Sequence, residues 1–262
     1  MPFLSPNGPD LGSERRPGLT LVGVGPGDPD LLTVAAVRSL QQATVVAYPV
    51  AREGAEGMAA AIASPWLRAD QTRLPLVFPM VAEAEPRQQA WRQAADRLQA
   101  LVAGGDTVVL LCEGDSSLYA SCSYVLLALA ERSPGTSVAV IPGITAVSAA
   151  AAAASGTGVP WPLALQQEAL LVRPTPETVD DLESLLDAAA TTGTVLALLK
   201  LGSRWSWVQP LLARRGLLEK AVLAQRVGWP DQLVAPAASV SPGEQPYFSL
   251  LLIRQSWPEV LP

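Results

Sequence analysis

The chain contains no histidine. That absence removes Ser-His-Asp and Cys-His nucleophilic catalysis and most zinc sites, because imidazole is the usual base at neutral pH and the commonest zinc ligand. Cysteine is nearly absent as well. Cys112 and Cys122 are the only two, too few for a disulfide framework or a Cys-rich metal site. No metal is expected. Lysine is scarce: of 18 basic residues only Lys200 and Lys220 are lysines. A bias to arginine suits carboxylate binding, although genomic composition produces the same bias. Basic charge is in the minority, with a net charge of −6, so nucleic acid and anionic membranes are not expected partners. Long apolar runs are also missing. The densest, residues 146–154, is mostly alanine and too short to span a bilayer. The N-terminal residues 1–17 carry Pro, Gly and mixed charge without an apolar signal core, and read as a loose tail on a cytoplasmic protein.

What is present is a large apolar fraction. Of 262 residues, 49% are apolar and 16% charged, enough for two α/β domains with sizeable cores. Strand-like runs at residues 19–24, 43–50, 72–80 and 107–112 alternate with helical spacing at 32–42, 55–67, 86–102 and 117–132. The run at 72–80 is interrupted by Pro75 and suits a sheet edge. Ser133-Pro134-Gly135 is a turn and the expected boundary, giving an N-terminal domain over 18–132 and a C-terminal one over 136–262. In the second half, strands are expected at 137–141, 169–173, 194–199, 221–226 and 247–253, and helices at 146–154, 178–190 and 205–215. The alternation predicts α/β units with mostly parallel sheets. There is no internal repeat.

Three segments run from a strand into a glycine turn and then a helix. The first is Gly23-Val24-Gly25-Pro26-Gly27-Asp28-Pro29, followed by Asp30-Leu31-Leu32-Thr33. Glycine permits tight turning and close approach of a ligand to the backbone, and a helix start offers free N–H groups. A nicotinamide fingerprint fits poorly. Asp28 stands where a third small residue is needed, and Tyr48-Pro49 ends the second strand in place of a ribose-binding acid. The second segment is Cys112-Glu113-Gly114-Asp115-Ser116-Ser117-Leu118-Tyr119. It follows the strongest strand of the first half, and ligands in open α/β sheets sit beyond the carboxyl ends of strands. Asp115 suits a ribose or an ammonium, or simply caps the next helix. The third is Pro142-Gly143-Ile144-Thr145-Ala146, where Thr145 either caps a helix or reaches a ligand. One such loop is weak evidence; three in series are not.

In order and spacing these segments resemble the tetrapyrrole methylase family, with its GxGPGDPxLLT start, GDPxxYG-like middle motif and PGITS-like third motif. The likeness runs from Leu19 to Ile253. It is strongest to the branch acting at C20 of precorrin-2 or cobalt-factor II, through VVAYPVAREG (45–54), LPLVFPM (74–80), LLCEGDSSLYAS (110–121) and LALLKLGSR (196–204). The resemblance implies two α/β domains with the cofactor in the cleft between them, S-adenosyl-L-methionine as methyl donor with S-adenosyl-L-homocysteine as product, a place in cobalamin biosynthesis, and a homodimer. It puts the cofactor at Pro26, Glu113, Gly114, Asp115, Leu118, Thr145, Ala146, Leu201, Arg226 and Val227, and the substrate at Gly25 and Asp28. The sequence departs from the family pattern at Ser116, usually proline, and at Ala120, usually glycine; Val227 falls where many relatives have a small residue.

The chemistry implied suits a chain without histidine. A sulfonium leaves as a neutral thioether and the ring carbon is already electron-rich, so the protein mainly aligns donor and acceptor and excludes water. Proton loss afterwards has Glu113 and Tyr119 as candidate assistants, or solvent. A polycarboxylate substrate needs local positive charge, for which Arg52, Arg173, Lys200, Arg204 and Arg226 lie at or near expected strand ends, where bidentate arginine pairing would orient the ring. Each is equally readable as a solvated surface charge. Three alternatives stay open: methylation of another precorrin carbon or of uroporphyrinogen III, methylation of a diphthamide precursor or of ribosomal RNA (disfavoured for RNA by the acidic balance), and a non-catalytic module that only binds S-adenosylmethionine.

Overall fold

The computed structural model describes residues 18–156 and 160–257, so the expected N-terminal tail lies outside the described residues. The chain forms two compact units. Residues 18–25 and 29–143 make the first; residues 26–28 and those from Ile144 onward make the second.

The first unit runs β1 (Gly18–Gly23), α1 (Val34–Gln42), β2 (Val45–Val50), α2 (Met58–Ala63), β3 (Thr72–Val77), α3 (Ala84–Ala103), β4 (Thr107–Cys112), α4 (Cys122–Arg132) and β5 (Val138–Ile141). The sheet order is β3-β2-β4-β1-β5, and every pair is parallel. Parallel neighbours need crossover connections, which the helices supply. Side chains alternate between the two faces of a strand. Leu19, Leu21, Leu110 and Cys112 join Ala94, Ala95 and Leu98 of α3 and Val125 and Leu129 of α4 in one core. The intervening Val22, Val109 and Leu111 are buried too, as are Ala36 and Leu40 of α1 and Ile62 of α2. A sheet buried on both faces reads as a continuous apolar run, as TVVLLC of β4 does. The edge position expected for the proline-interrupted strand is that of β3.

Two expectations are corrected here. The strand at 138–141 does not open the second unit: it pairs with β1, Leu19 opposite Val138, so the compact units divide at Gly143/Ile144 and not around residues 133–135. A proline-glycine turn marks a change of direction and does not say which sheet the next strand joins. The helix expected from residue 117 starts at Cys122. Asp115 takes the Ser117 N–H, and Tyr119 sits at φ +55°, a left-handed conformation that no α-helix contains.

The second unit runs α5 (Ala146–Ser155), β6 (Leu170–Pro174), α6 (Val179–Thr192), β7 (Val195–Leu199), α7 (Trp205–Arg214), β8 (Ala221–Gln225), β9 (Leu233–Pro236) and β10 (Ser249–Ile253). The sheet order is β6-β7-β10-β8-β9. Only β6–β7 is parallel; β10 is antiparallel to both β7 and β8, and β8 to β9. The second sheet is therefore mixed, whereas the first is wholly parallel. The cause is the short β8–β9 connection and the late β10, which enters the middle of the sheet against its neighbours. The short β9 was not legible in the sequence: four residues ending in proline show no alternation. Leu182 and Leu186 of α6, Trp205, Val208 and Leu212 of α7, and Leu196, Leu198, Leu223, Leu251 and Ile253 of the sheet form its core. The Trp205 indole N–H, buried with the ring, donates to the Ser241 carbonyl at 3.0 Å. Arg254, 0% exposed, is neutralised by a two-point pair with Glu168 and donates to the Pro162 carbonyl at 2.7 Å. That pairing anchors the segment leading into β6.

Candidate functional site

All five strands of the first unit end on one edge, and three loops meet there through glycine. β1 ends at Gly23, β4 leads into Gly114, and β5 leads into Gly143. Gly25 and Gly114 form an isolated bridge, with N–H to carbonyl distances of 3.1 and 2.8 Å. Gly25 at φ +79° and Gly114 at φ +70° adopt conformations that favour glycine. A methyl group on Gly23 would stand 2.5 Å from the Gly143 nitrogen, and one on Gly143 would stand 2.2 Å from the Gly114 carbonyl oxygen. Bare backbone packs on bare backbone at this edge. On its outer side the same backbone is open: a methyl at Gly114 would meet nothing within 4 Å.

Asp115 ties the second loop to the third. One carboxylate oxygen accepts the Ser117 N–H at 2.8 Å, and the other accepts the Gly143 N–H at 2.9 Å. Burial alone would raise its pKa, but the Ser117 hydroxyl and the N–H groups of Ser117, Gly143 and Leu118 outweigh that and hold the carboxyl below the usual range. Asp115 is therefore an internal clamp, where the sequence reading offered ribose binding or a helix cap. Ser116, in place of the family's proline, donates from its hydroxyl to the Ile141 carbonyl at 3.1 Å and so fastens the same loop to the end of β5. The departure from the family pattern substitutes a hydrogen bond for ring rigidity. Beyond it, Leu118 and Tyr119 stand exposed on the turn before α4, and Glu113 is half-buried at the tip of β4. Arg52 lies exposed after β2, with β4 intervening between β2 and β1.

In the second unit the carboxyl ends of β6, β7 and β8 share an edge with the amino end of β10. After β7 the chain turns through Lys200 at φ +55°. The Arg204 guanidinium holds that turn, donating to the Lys200 carbonyl at 3.0 Å and pairing with Glu177. Arg204 is thus committed within the protein, whereas Lys200 is exposed. Leu201 is fully buried in the core, its N–H donates to the Ser249 carbonyl at 3.1 Å and its carbonyl accepts the Arg204 N–H at 3.1 Å. After β8, Arg226 at φ +44° pairs with Asp231, its nitrogen 2.7 Å from the carboxylate, and its guanidinium lies 4.9 Å from the centre of the Trp229 ring. Val227 is buried. Thr145 is the N-cap of α5, its hydroxyl oxygen accepting the Ser148 N–H at 3.1 Å, and Ala146 is the first residue of that helix.

The segment Pro26–Asp28 packs on the turn after β8. The Trp229 indole N–H donates to the Pro26 carbonyl at 3.0 Å. A methyl on Gly27 would stand 2.5 Å from the Trp229 ring, and one on Gly228 would stand 2.5 Å from the Asp28 nitrogen. Pro26 is itself buried, so only its surroundings and not its ring are open to a ligand. Trp229→Phe keeps an aromatic side chain but deletes the donor and trims the indole to a smaller ring. It is expected to cost about 1 kcal/mol, read as a fall of about 2–4 °C in the melting temperature; an unchanged melting temperature refutes the contact.

The predicted site residues therefore fall in separate groups: Gly25, Glu113, Gly114, Asp115 and Leu118 in the first unit; Lys200, Leu201 and Arg204 on the β7 turn; Pro26, Asp28, Arg226 and Val227 on the β8 turn; Thr145 and Ala146 at the start of α5. Arg52 stands apart. Sequence reasoning marked Ser116 only as a departure from the family pattern, without its partner, and missed Trp229. A serine replacing a rigid proline, and a tryptophan after Val-Gly at a strand end, are the signals that mark them.

This arrangement of parallel and mixed α/β units with glycine loops at the strand ends is that of the Tetrapyrrole (Corrin/Porphyrin) Methylases, whose family pattern matches residues 18–239, and the chain belongs to that family. Among its relatives is the precorrin-2 C(20)-methyltransferase of Sinorhizobium sp, 35% identical over 240 residues, covering 88% of this chain and 93% of that one. The cobalamin biosynthesis protein CobIJ of Mycobacterium tuberculosis is 36% identical over 241 residues; the match covers 88% of this chain but only 45% of CobIJ, so the chain spans about half the length of that relative. The crystal structure of uroporphyrin-III C-methyl transferase from Thermus thermophilus complexed with S-adenyl homocysteine shares the fold, with a TM-score of 0.56 at 20% identity over 90% of this chain and 91% of that one.

Proposed function

We propose that the protein transfers a methyl group from S-adenosyl-L-methionine to C20 of precorrin-2, with or without cobalt, in cobalamin biosynthesis. The observation that carries the reading is the meeting of Gly23, Gly114 and Gly143 at the carboxyl edge of a parallel sheet, with open space outside Gly114. At Gly114 itself a nucleoside can come close to the backbone, with no atom within 4 Å of where a side chain would start. Glu113, Gly114 and Leu118 are assigned to the donor, with Asp115 holding their loop in place; Thr145, Ala146 and the turns at Leu201 and Arg226–Val227 are assigned to the same ligand. The family resemblance and the name of the Sinorhizobium relative support C20 as the acceptor carbon.

The donor supplies a methyl group on a sulfonium, and a sulfonium needs no acid to leave. What the chain contributes is alignment and exclusion of water. The ring carbon must shed a proton after the transfer. Glu113 at the tip of β4 and Tyr119 on the following turn are the side chains we assign to assist, alongside solvent. Lys200 takes a substrate carboxylate; Arg204 serves it indirectly by holding its backbone, and Asp28 and Gly25 border the substrate. Among the described residues no helix is long and apolar enough to cross a membrane; the cytoplasmic location is part of the proposal. A homodimer is inferred from the family, and Val138 and Val140, exposed on the edge strand β5, offer apolar area for it.

The test is incubation with S-adenosylmethionine and precorrin-2, then with cobalt-factor II, followed by mass and NMR assignment of the methylated carbon. Methylation at C20 supports the reading, and methylation at another carbon replaces it. Calorimetric binding of S-adenosylhomocysteine without any turnover reduces the protein to a binding module.

A further inference from the structure

We propose that Tyr247 and Phe248 form an aromatic platform on which the tetrapyrrole ring lies, flanked by cations that take its carboxylates. The proposal deepens the tetrapyrrole reading and rests on it. Two large rings stand exposed side by side, Tyr247 at 50% and Phe248 at 40%, with centroids 5.1 Å apart and planes at 86°. About half of each ring surface stays in solvent, more than packing within the fold requires of two large aromatics. Their edge-to-face contact fixes them relative to each other, and the backbone beneath them is anchored on both sides. The Phe248 carbonyl accepts the Arg226 N–H at 2.9 Å, and the Ser249 carbonyl accepts the Leu201 N–H at 3.1 Å. Ser249 also holds the approach, its hydroxyl accepting the Gly202 N–H at 3.0 Å and donating to the Pro246 carbonyl at 2.6 Å.

The sheet order decides what surrounds the pair. Along this edge run Arg173 at the end of β6, Lys200 after β7, the two rings entering β10, and Arg226 after β8. Lys200 and Arg226 therefore flank the rings on opposite sides, each in a left-handed conformation that redirects the chain at the strand end. With strands about 4.8 Å apart, Arg173 to Arg226 covers three steps, about 14 Å, the breadth of a flat macrocycle with its acid arms. The Lys200 ammonium enters no ion pair among the described residues, so its charge is available; Arg226 shares its own with Asp231. Apolar faces at the centre with cations at the margin match a planar polycarboxylate; a nucleic acid strand, which is bound by the same two elements, is opposed by the net charge of −6. A lone exposed ring would be ordinary surface; two rings anchored between two strained basic residues are not.

The test uses the intact protein and uroporphyrin III, a stable octacarboxylate, read by the shift of its absorption band, with S-adenosylhomocysteine binding measured in parallel. The double variant Tyr247→Ala/Phe248→Ala is expected to bind uroporphyrin about 30-fold more weakly, and S-adenosylhomocysteine within twofold of the wild type. Tyr247→Leu/Phe248→Leu, which keeps apolar bulk, is expected to lose the band shift and about fivefold in affinity. Lys200→Met is expected to lose about tenfold and to flatten the salt dependence while retaining the shift. Equal binding of uroporphyrin by wild type and both double variants overturns the platform and leaves the methyltransferase reading standing. A wild-type protein that takes S-adenosylhomocysteine but no tetrapyrrole overturns the platform and the substrate together.

Discussion

Gly143→Ala is expected to abolish methyl transfer and to weaken S-adenosylhomocysteine binding at least 100-fold. The added methyl would lie 2.2 Å from the Gly114 carbonyl oxygen and 2.8 to 2.9 Å from the carbonyl carbon and oxygen of Gly23. All three neighbours are backbone, and no side chain can rotate away. Ordinary carbon–oxygen contact is at about 3.3 Å or more, so the loops after β1 and β4 have to retreat from the loop after β5. Overpacking of this kind costs about 1–3 kcal/mol of stability, but the larger effect falls on the ligand, because the three loops cease to share one surface. Gly135→Ala is the matched comparison: its methyl meets nothing within 4 Å. Calorimetry with S-adenosylhomocysteine and thermal unfolding of both variants check the expectation. If Gly143→Ala binds the ligand as the wild type does, the shared surface is not where the donor sits.

The second large effect belongs to Asp115→Asn. The carboxylate accepts the N–H groups of Ser117 and Gly143 on separate oxygens. An amide of the same shape keeps one acceptor and turns two donors toward the other N–H. A buried donor left without an acceptor costs about 1–3 kcal/mol, with a fall of about 2–12 °C in the melting temperature. Turnover should fall further than stability, since the loop carrying Glu113 loses its tie to Gly143. The pH dependence has a definite sign. The Asp115 pKa is lower in the folded protein than in the unfolded chain, so its stabilisation is complete above the ordinary carboxylate value of about 3.9 and is lost as the pH drops through the folded value. The gap in melting temperature between wild type and Asp115→Asn is therefore expected to be full at pH 7 and to narrow below about pH 4. A gap that stays constant down to pH 3 would show that the charge on Asp115 contributes nothing.

Much of the fold was readable because its cause is local. The run TVVLLC matches β4 residue for residue, and Thr33, Thr145 and Thr178 cap the helices that the apolar spacing predicts. Pairing was not readable. Nothing in Val138–Ile141 says that it lies beside β1, and nothing in Leu233–Pro236 announces a strand, because pairing is decided by distant partners. The three glycine loops were legible as tight turns at strand ends through their residue types. That Gly23 and Gly143 need to be bare against each other, and not against a ligand, is a contact between segments far apart in sequence. The same holds for the charges: Arg204 and Arg226 looked available, and their partners Glu177 and Asp231 became evident only in three dimensions. The turn at 117–121 was lost because a carboxylate two residues upstream outcompeted helical propensity.

The position of β10, flanked by β7 and β8, has a consequence for biosynthesis. As the ribosome delivers the chain from its amino end, β7 and β8 emerge with no shared neighbour, and their inward edges stay unpaired until residue 253 has cleared the exit tunnel. Unpaired edges invite association with other nascent chains. A stall between β8 and β10 therefore leaves two strand edges open that the finished chain closes with one strand.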